Sequence, residues 1–304
     1  MKVRDFCCGI ALFLAIAFTA RLAAQNPPSW TAPFPPHHIA GNLYYVGSED
    51  LASYLIVTPQ GNILINSSFE ENVPLIQKSV EQLGFHFSDT KILLISHAHN
   101  DHCAGAAMVK KLTGAKYMVM DADVPVIESG GKKDFHYGDH PDMRFPPTKV
   151  DRVLHDGDKV QLGDTVLTAH LTAGHTRGTT TWTFDETDSG LSGGAEGHRT
   201  LHVVIVGSPN VNPGYKLVDN TAYPQIATDY HSGFQVLKSL PCDIFLGAHG
   251  GYYGMKEKYL SWQMSSNAFA KLEPRFIDPQ GYKSYIADRE QAFEAELKRQ
   301  ESRK

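Results

Sequence analysis

Cysteine is scarce in this sequence, with 4 in 304 residues, and two of those are adjacent near the start, at Cys7 and Cys8. A disulfide framework is thereby excluded as the source of the fold. At about 300 residues none is needed, because such a chain buries roughly three quarters of the surface it exposes when unfolded. Runs of basic residues interleaved with aromatics are absent, and the formal charge is -5, from 28 basic and 33 acidic side chains. A nucleic-acid partner is not expected of such a surface. The apolar run at 8–18 is too short to cross a bilayer of about 30 Å, which takes roughly 20 apolar residues. No sequence repeat is visible. With 42% hydrophobic and 20% charged residues, the composition is that of an ordinary globular protein and excludes a disordered or collagen-like chain.

The apolar run has a different meaning. Lys2 and Arg4 precede it, and the small residues of Thr19-Ala20-Arg21-Leu22-Ala23-Ala24 follow it. This is the pattern of a secretory signal peptide over residues 1–24, cleaved near Ala24, with 25–304 forming one catalytic domain. Export to the periplasm without stable membrane association is the corresponding expectation. Cleavage would leave Cys103 and Cys242, both expected to be free and buried.

What the sequence has in quantity is histidine, 15 in all, several crowded beside apolar strands. A Pro-rich arm, 26–38, excludes helix and central strand. Beyond it strand-like and helix-like patterns alternate, so the chain reads as α/β. Strands are expected at 43–46, 53–58, 62–65, 91–95, 117–120, 159–162, 165–171, 179–184, 202–206 and 244–246. Helices are expected at 72–83, where Val73, Ile76, Val80 and Leu83 share a face, at 104–112, at 223–240 and from about Lys283. A long polar loop, 130–148, has the character of a segment covering a site. The Ser/Gly-rich stretch 186–199 reads as an exposed hairpin tip without function. Both halves place helices after a run of strands, which suggests two sheets packed face to face with helices outside, a four-layer αββα sandwich.

The segment His97-Ala98-His99-Asn100-Asp101-His102 lies between the strand at 91–95 and the helix at 104–112. Strand-to-helix loops are where ligands collect, and four ligand-type side chains in six residues can serve two metal ions. Two further histidines follow the ends of apolar strands, in Gly174-His175-Thr176 and Ala248-His249-Gly250, and bring the candidate ligands to six.

Together these motifs resemble the metallo-β-lactamase superfamily across nearly the whole chain after residue 24. Within it, the segment Val211-Asn212-Pro213-Gly214-Tyr215-Lys216-Leu217 and the lead-in Leu240-Pro241-Cys242-Asp243 are similar to subclass B3. The resemblance implies two Zn2+ ions, one on His97, His99 and His175 and the other on Asp101, His102 and His249. It implies zinc-dependent hydrolysis of the amide bond of penicillins, cephalosporins and carbapenems by a metal-bound hydroxide, and hence antibiotic resistance. Asp101 would orient the nucleophile and help move its proton, and Tyr215 would donate to the developing oxyanion. Related esterases, lactonases and glyoxalases carry a metal-bridging aspartate where this chain has Ser208, so Ser208 would instead hydrogen-bond the metal-bound water or the substrate carboxylate.

Other features are open to two readings. Asn212 and Lys216 either grip a substrate carboxylate or sit in a solvated loop. Trp30 and Phe34 either flank the substrate or pack elsewhere. The resemblance carries a cysteine partner for Cys242 near Tyr282, where this chain has none. A lactonase or phosphodiesterase of the same fold is the rival activity, disfavoured by the missing bridging aspartate. A non-catalytic metal module is disfavoured by the intact six ligands.

Overall fold

The computed structural model describes residues 26–188, 199–265 and 276–303. The expected signal peptide and most of the 186–199 stretch lie outside the described residues. Strands β1 (His37–Ala40), β2 (Leu43–Tyr45), β3 (Tyr54–Thr58) and β4 (Gly61–Ile65) form an antiparallel meander. From β4 the sheet continues in parallel through β5 (Thr90–Leu94), β6 (Lys116–Met120) and β7 (Arg152–Leu154), giving seven strands in chain order. Between them run α1 (Val73–Gln82), the short α2 (Asn100–Cys103), α3 (Ala106–Thr113) and α4 (Val124–Glu128).

A second sheet of five strands contains β8 (Lys159–Leu162), β9 (Thr165–Leu171), β10 (Thr180–Asp188), β11 (Arg199–Val206) and β12 (Ile244–Gly247), in the order β12-β11-β10-β9-β8. Only the β11–β12 pair is parallel. Helices α5 (Ile226–Ser239), α6 (Met255–Met264) and α7 (Pro279–Glu301) complete the chain. Among the described residues no helix is long and apolar enough to cross a membrane.

The first sheet is buried on both faces, and its sequence shows why. Strand side chains alternate between faces. Tyr54, Ile56, Ile63, Ile65, Leu94 and Met120 point into the core shared with the second sheet. Leu55, Leu64, Leu93, Ile95 and Val119 point the other way and pack against Val73, Ile76, Val80 and Val109 of α1 and α3. Helices α5 and α7 lie against β9 and β12, and Phe234 and Phe293 join the same core as the strands. The order is therefore helix, sheet, sheet, helix, as the sequence pattern suggested.

Several local expectations are corrected. The helix expected at 104–112 is α3, which starts only at Ala106 after a break at Gly105, where a Cβ would lie 2.5 Å from the Val73 side chain; the short α2 lies ahead of the expected range. Strands β1 and β7 and helices α4 and α6 were not expected. Each is short or lacks a clear apolar stripe, and β1 emerges from the Pro-rich arm as an edge strand, the one sheet position such a segment tolerates. The last helix starts at Pro279 rather than near Lys283, because Asp278 accepts the Gly281 N–H at 2.8 Å as an N-cap. Cys103 is free and buried, but Cys242 is free and only half-buried. Glu186 is no exposed tip residue: β10 continues through it, and its carboxylate is buried over the Gly41 turn.

Candidate metal centre

At one end of the sandwich, loops at the strand ends of the two sheets are hydrogen-bonded to each other. Thr180 N–H, at the start of β10, donates to Ser96 O just beyond β5 at 2.7 Å, and Ala52 N–H donates to Ala248 O beyond β12 at 3.0 Å. Asn66, at the end of β4 with φ of 66°, accepts the Ser96 N–H on its side-chain oxygen at 2.8 Å. Asparagine tolerates this left-handed conformation better than most side chains. These links fix the loop 96–99 against the loops carrying His175 and His249. Gly174, with φ of 132°, makes the turn into His175; a Cβ there would meet the Tyr230 ring at 2.6 Å.

All six expected ligands come together. His97, His99 and His175 present ligand atoms within 4.8 Å of one another, as do His97, Asp101 and His102. His249 joins this second group through its Nε2, 3.5 Å from Asp101 Oδ2, with its ring 4.9 Å from that of His102. His102 Nε2 is 3.2 Å from the same carboxylate oxygen.

These residues fit metal binding. Both ring nitrogens of His102 are buried, Nδ1 with no hydrogen-bond partner among the described residues and Nε2 facing only the Asp101 carboxylate, an arrangement that a cation bound between the two groups would relieve. Three of the other imidazole nitrogens are hydrogen-bonded outward and a fourth faces a carboxylate beyond hydrogen-bond distance, leaving one nitrogen of each ring to point inward. His97 Nδ1 lies 3.1 Å from Ser96 Oγ, His175 Nδ1 lies 2.8 Å from Asn210 O, and His249 Nδ1 lies 3.0 Å from Asp50 Oδ2. His99 Nε2 is 3.7 Å from Asp134 Oδ2. Outer partners of this kind fix ring orientation at metal sites.

The electrostatics divide the six: burial alone would lower His99 and His249, but Asp134 outweighs it at His99, and Tyr252, Asp101 and Asp50 outweigh it at His249, so both are raised. Burial, then the imidazoles of His102, His175 and His99, push His97 well below the ordinary histidine range, so it is neutral with a free lone pair. Burial and the neighbouring His99 do the same to His175. Burial alone would raise Asp101, but His102 and His249 outweigh it and hold the residue well below the usual carboxylate range, as an anion.

The site opens into a cavity of about 430 Å³ lined by Trp30, Asp50, His99, Asp101, Tyr137, His175, Asn210, Asn212, His249 and Tyr252, among others. The loop 130–148 does cover the site, through Tyr137 and Met143. Trp30 takes the cavity wall, whereas Phe34 packs into the core. Asn212 also faces the cavity, with its amide donating to Tyr137 Oη at 3.0 Å.

Tyr215 and Ser208 stand differently from the expectation. Tyr215 is 2% exposed, and its hydroxyl donates to the backbone oxygen of His175 at 2.9 Å. Ser208 is buried with its Oγ 3.2 Å from Tyr252 Oη. Neither is among the residues described as lining the cavity.

Sequence reasoning missed three carboxylates. Asp50 and Asp134 back His249 and His99. Asp123 is buried between the ligand loops, accepting Ala98 N–H, Thr176 Oγ1–H and Gly178 N–H, each at 2.8 Å. Burial outweighs those bonds and pushes its carboxyl up to about 6. Asp134 was findable, since it lies in the loop already expected to cover a site. A lone carboxylate such as Asp50 or Asp123 carries no sequence signal until the fold brings its partners to it.

Comparison with known proteins agrees with this geometry. Residues 50–249 match the metallo-beta-lactamase superfamily. The chain is 57% identical to the native FEZ-1 metallo-beta-lactamase of Legionella gormanii, covering 89% of this chain and 98% of that one with a TM-score of 0.82. It is 34% identical to BJP-1, a subclass B3 metallo-beta-lactamase of Bradyrhizobium japonicum, covering 90% and 98% with a TM-score of 0.79. It is also 25% identical over 246 residues to a metal-dependent hydrolase of Anaeromyxobacter dehalogenans, covering 78% of this chain and 73% of that protein. One of these solved structures is of subclass B3, and the chain belongs to the metallo-beta-lactamase superfamily.

Proposed function

We propose that this chain is a zinc-dependent β-lactamase, exported by residues 1–24 to the periplasm, that opens penicillins, cephalosporins and carbapenems and so confers resistance. The observation that carries the reading is the convergence of six ligand residues on one cavity in a chain with such high identity to FEZ-1. His97, His99 and His175 would hold one Zn2+, and Asp101, His102 and His249 the other. Zinc so held supplies Lewis acidity and a nucleophilic water near neutral pH.

The chain's own groups do the rest. Asp101 Oδ2, between His102 and His249, orients the attacking water and takes up its proton on the way to the departing ring nitrogen. Asn210 and Asn212 offer polar side chains on the cavity wall beside Tyr137, where a substrate carboxylate would lie. Trp30 and Met143 give the apolar surface that holds the substrate body and excludes water. Tyr215 contributes through the loop of His175, because its only proton is already donated there. Ser208 likewise contributes by fixing Tyr252.

The deciding experiment is ring-opening of a penicillin, a cephalosporin and a carbapenem, followed by ultraviolet absorbance with and without a chelator. Chelator-sensitive turnover of all three is expected. Failure on all three beside efficient lactone cleavage would overturn the reading in favour of a lactonase of the same fold.

A further inference from the structure

His249 reaches the site from the far side of the fold, and one residue outside the ligand set governs how it does so. Its Nδ1 lies 3.0 Å from Asp50 Oδ2, while its Nε2 faces Asp101 Oδ2 at 3.5 Å. With a metal ion on Nε2, the ring proton would sit on Nδ1, toward Asp50. Asp50 is itself tightly held. Its Oδ1 accepts Gly251 N–H at 2.9 Å, and its Oδ2 also accepts the Trp30 indole N–H at 3.1 Å.

Trp30 belongs to the N-terminal arm. Its ring lies 5.5 Å from that of His249 and 6.1 Å from that of Phe69. The arm is bound to the same segment through the backbone: Asp50 N–H donates to Ser29 O at 3.1 Å, Glu49 N–H to Ala32 O at 2.9 Å, and Gly250 N–H to Asp50 O at 2.7 Å. Asn72 Nδ2 ties Trp30 O from the other side at 2.8 Å. Arm, Asp50 and His249 thus form one hydrogen-bonded unit. The histidines of the other ligand group use different outer partners, Ser96, Asn210 and Asp134.

We propose that Asp50 is a positioning residue for the second metal position, and that Trp30 shares its hold on His249, so that the N-terminal arm sets occupancy of that position and not of the first. This rests on the reading that Asp101, His102 and His249 hold a zinc ion. Because Trp30 and Asp50 also line the cavity, a substrate seated against the arm touches the unit that orients a ligand.

The test is zinc titration of the purified protein against a chromophoric chelator, with Asp50→Ala, Asp50→Asn, Trp30→Phe and His249→Ala beside the wild type. Loss of an outer carboxylate typically costs about 10- to 100-fold in metal affinity, and that loss is expected for the second equivalent in Asp50→Ala, with the first changed by less than about twofold. Asp50→Asn keeps an acceptor oxygen without the charge and should fall between. Trp30→Phe keeps a ring beside His249 but loses the indole N–H, and should weaken the second equivalent by several-fold. The visible spectrum of the second Co2+ equivalent should shift in Asp50→Asn, a readout that a purely structural loss would not give.

A wild type that takes fewer than two equivalents, or a His249→Ala variant that keeps two, would overturn the zinc reading itself. A wild type with two, His249→Ala with one, and Asp50→Asn and Trp30→Phe unchanged in affinity and spectrum would overturn the role of Asp50 and leave the zinc reading standing. Asp50→Asn and Trp30→Phe keep the test decisive even where Asp50→Ala does not fold.

Discussion

Replacing Asp123 tests how the first ligand group is held. The carboxylate accepts the N–H of Ala98, which sits between His97 and His99, and the Oγ1–H of Thr176, next to His175, as well as the N–H of Gly178. All of these atoms are buried, so Asp123→Ala leaves two backbone donors without acceptors, and each buried orphan costs about 1–3 kcal/mol. The Thr176 hydroxyl is spared, because Thr179 Oγ1 lies 2.9 Å away and can take its proton. The expected loss is therefore about 2–6 kcal/mol, a large part of the roughly 5–15 kcal/mol that holds a typical domain together. Asp123→Asn keeps one acceptor oxygen but turns an amide NH2 toward a donor, and should lose about half as much. Urea unfolding of the metal-free protein gives the stability change, and zinc competition gives the affinity of the first equivalent, which should fall in both variants because the two ligand loops lose their shared anchor. A metal-free Asp123→Ala protein within about 1 kcal/mol of wild type, with the first zinc equivalent bound as tightly, would refute this reasoning.

His97→Ala, His175→Ala, Asp101→Ala and His249→Ala should each cut β-lactam turnover by orders of magnitude and lower the zinc stoichiometry measured by metal analysis. Any of the four that kept both full activity and two bound ions would remove that residue from the ligand set. Glu186, 7% exposed over the Gly41 turn, has its carboxyl pushed by burial from 4.5 up to about 7, so its contribution to stability is fully present below pH 4.5 and is lost as the pH rises through about 7. At 1.36 kcal/mol per pKa unit this amounts to at most about 3 kcal/mol. Glu186→Gln should flatten the fall in urea midpoint between pH 5 and pH 8, and an identical fall in wild type and variant would count against a buried carboxyl as its source.

The parts of the site that were legible in the sequence are those in which chemistry and local structure coincide. His97, His99, Asp101 and His102 stand within one loop and the helical turn after it, so their convergence needs no knowledge of the fold. His175 and His249 were legible because each follows a short apolar strand, and strands of one sheet end at a common edge. The same alternation that marked β3 to β6 also fixed the layer order, since strands apolar on both faces demand cover on both. Where the pattern was weak the reading failed. β7 has three residues, two of them exposed, and α6 carries Lys and Glu in its first turns with no continuous apolar stripe.

The outer partners were illegible for a deeper reason. Asp50 and His249 are 199 residues apart in the chain and meet only because Leu51 pairs with His249 across the junction of the two sheets. No local period encodes that encounter. The direction of a hydroxyl is equally hidden. A tyrosine five residues beyond Asn210, in a segment similar to a hydrolase family, looks like an oxyanion donor, yet the turn through Pro213 and Gly214 carries the Tyr215 ring into the core and its proton to the His175 carbonyl. Ser208 is turned in the same sense, toward Tyr252. In both cases the orientation differs from the expectation, because orientation is decided by which buried acceptor lacks a donor. That is a property of the packed molecule. The six candidate ligands escaped this difficulty because a metal site tolerates either ring nitrogen: His99 turns Nε2 toward Asp134, while His97, His175 and His249 turn Nδ1 outward to their partners. Candidate ligands are therefore readable from composition and spacing, and the partners that aim each ring are readable only from the fold.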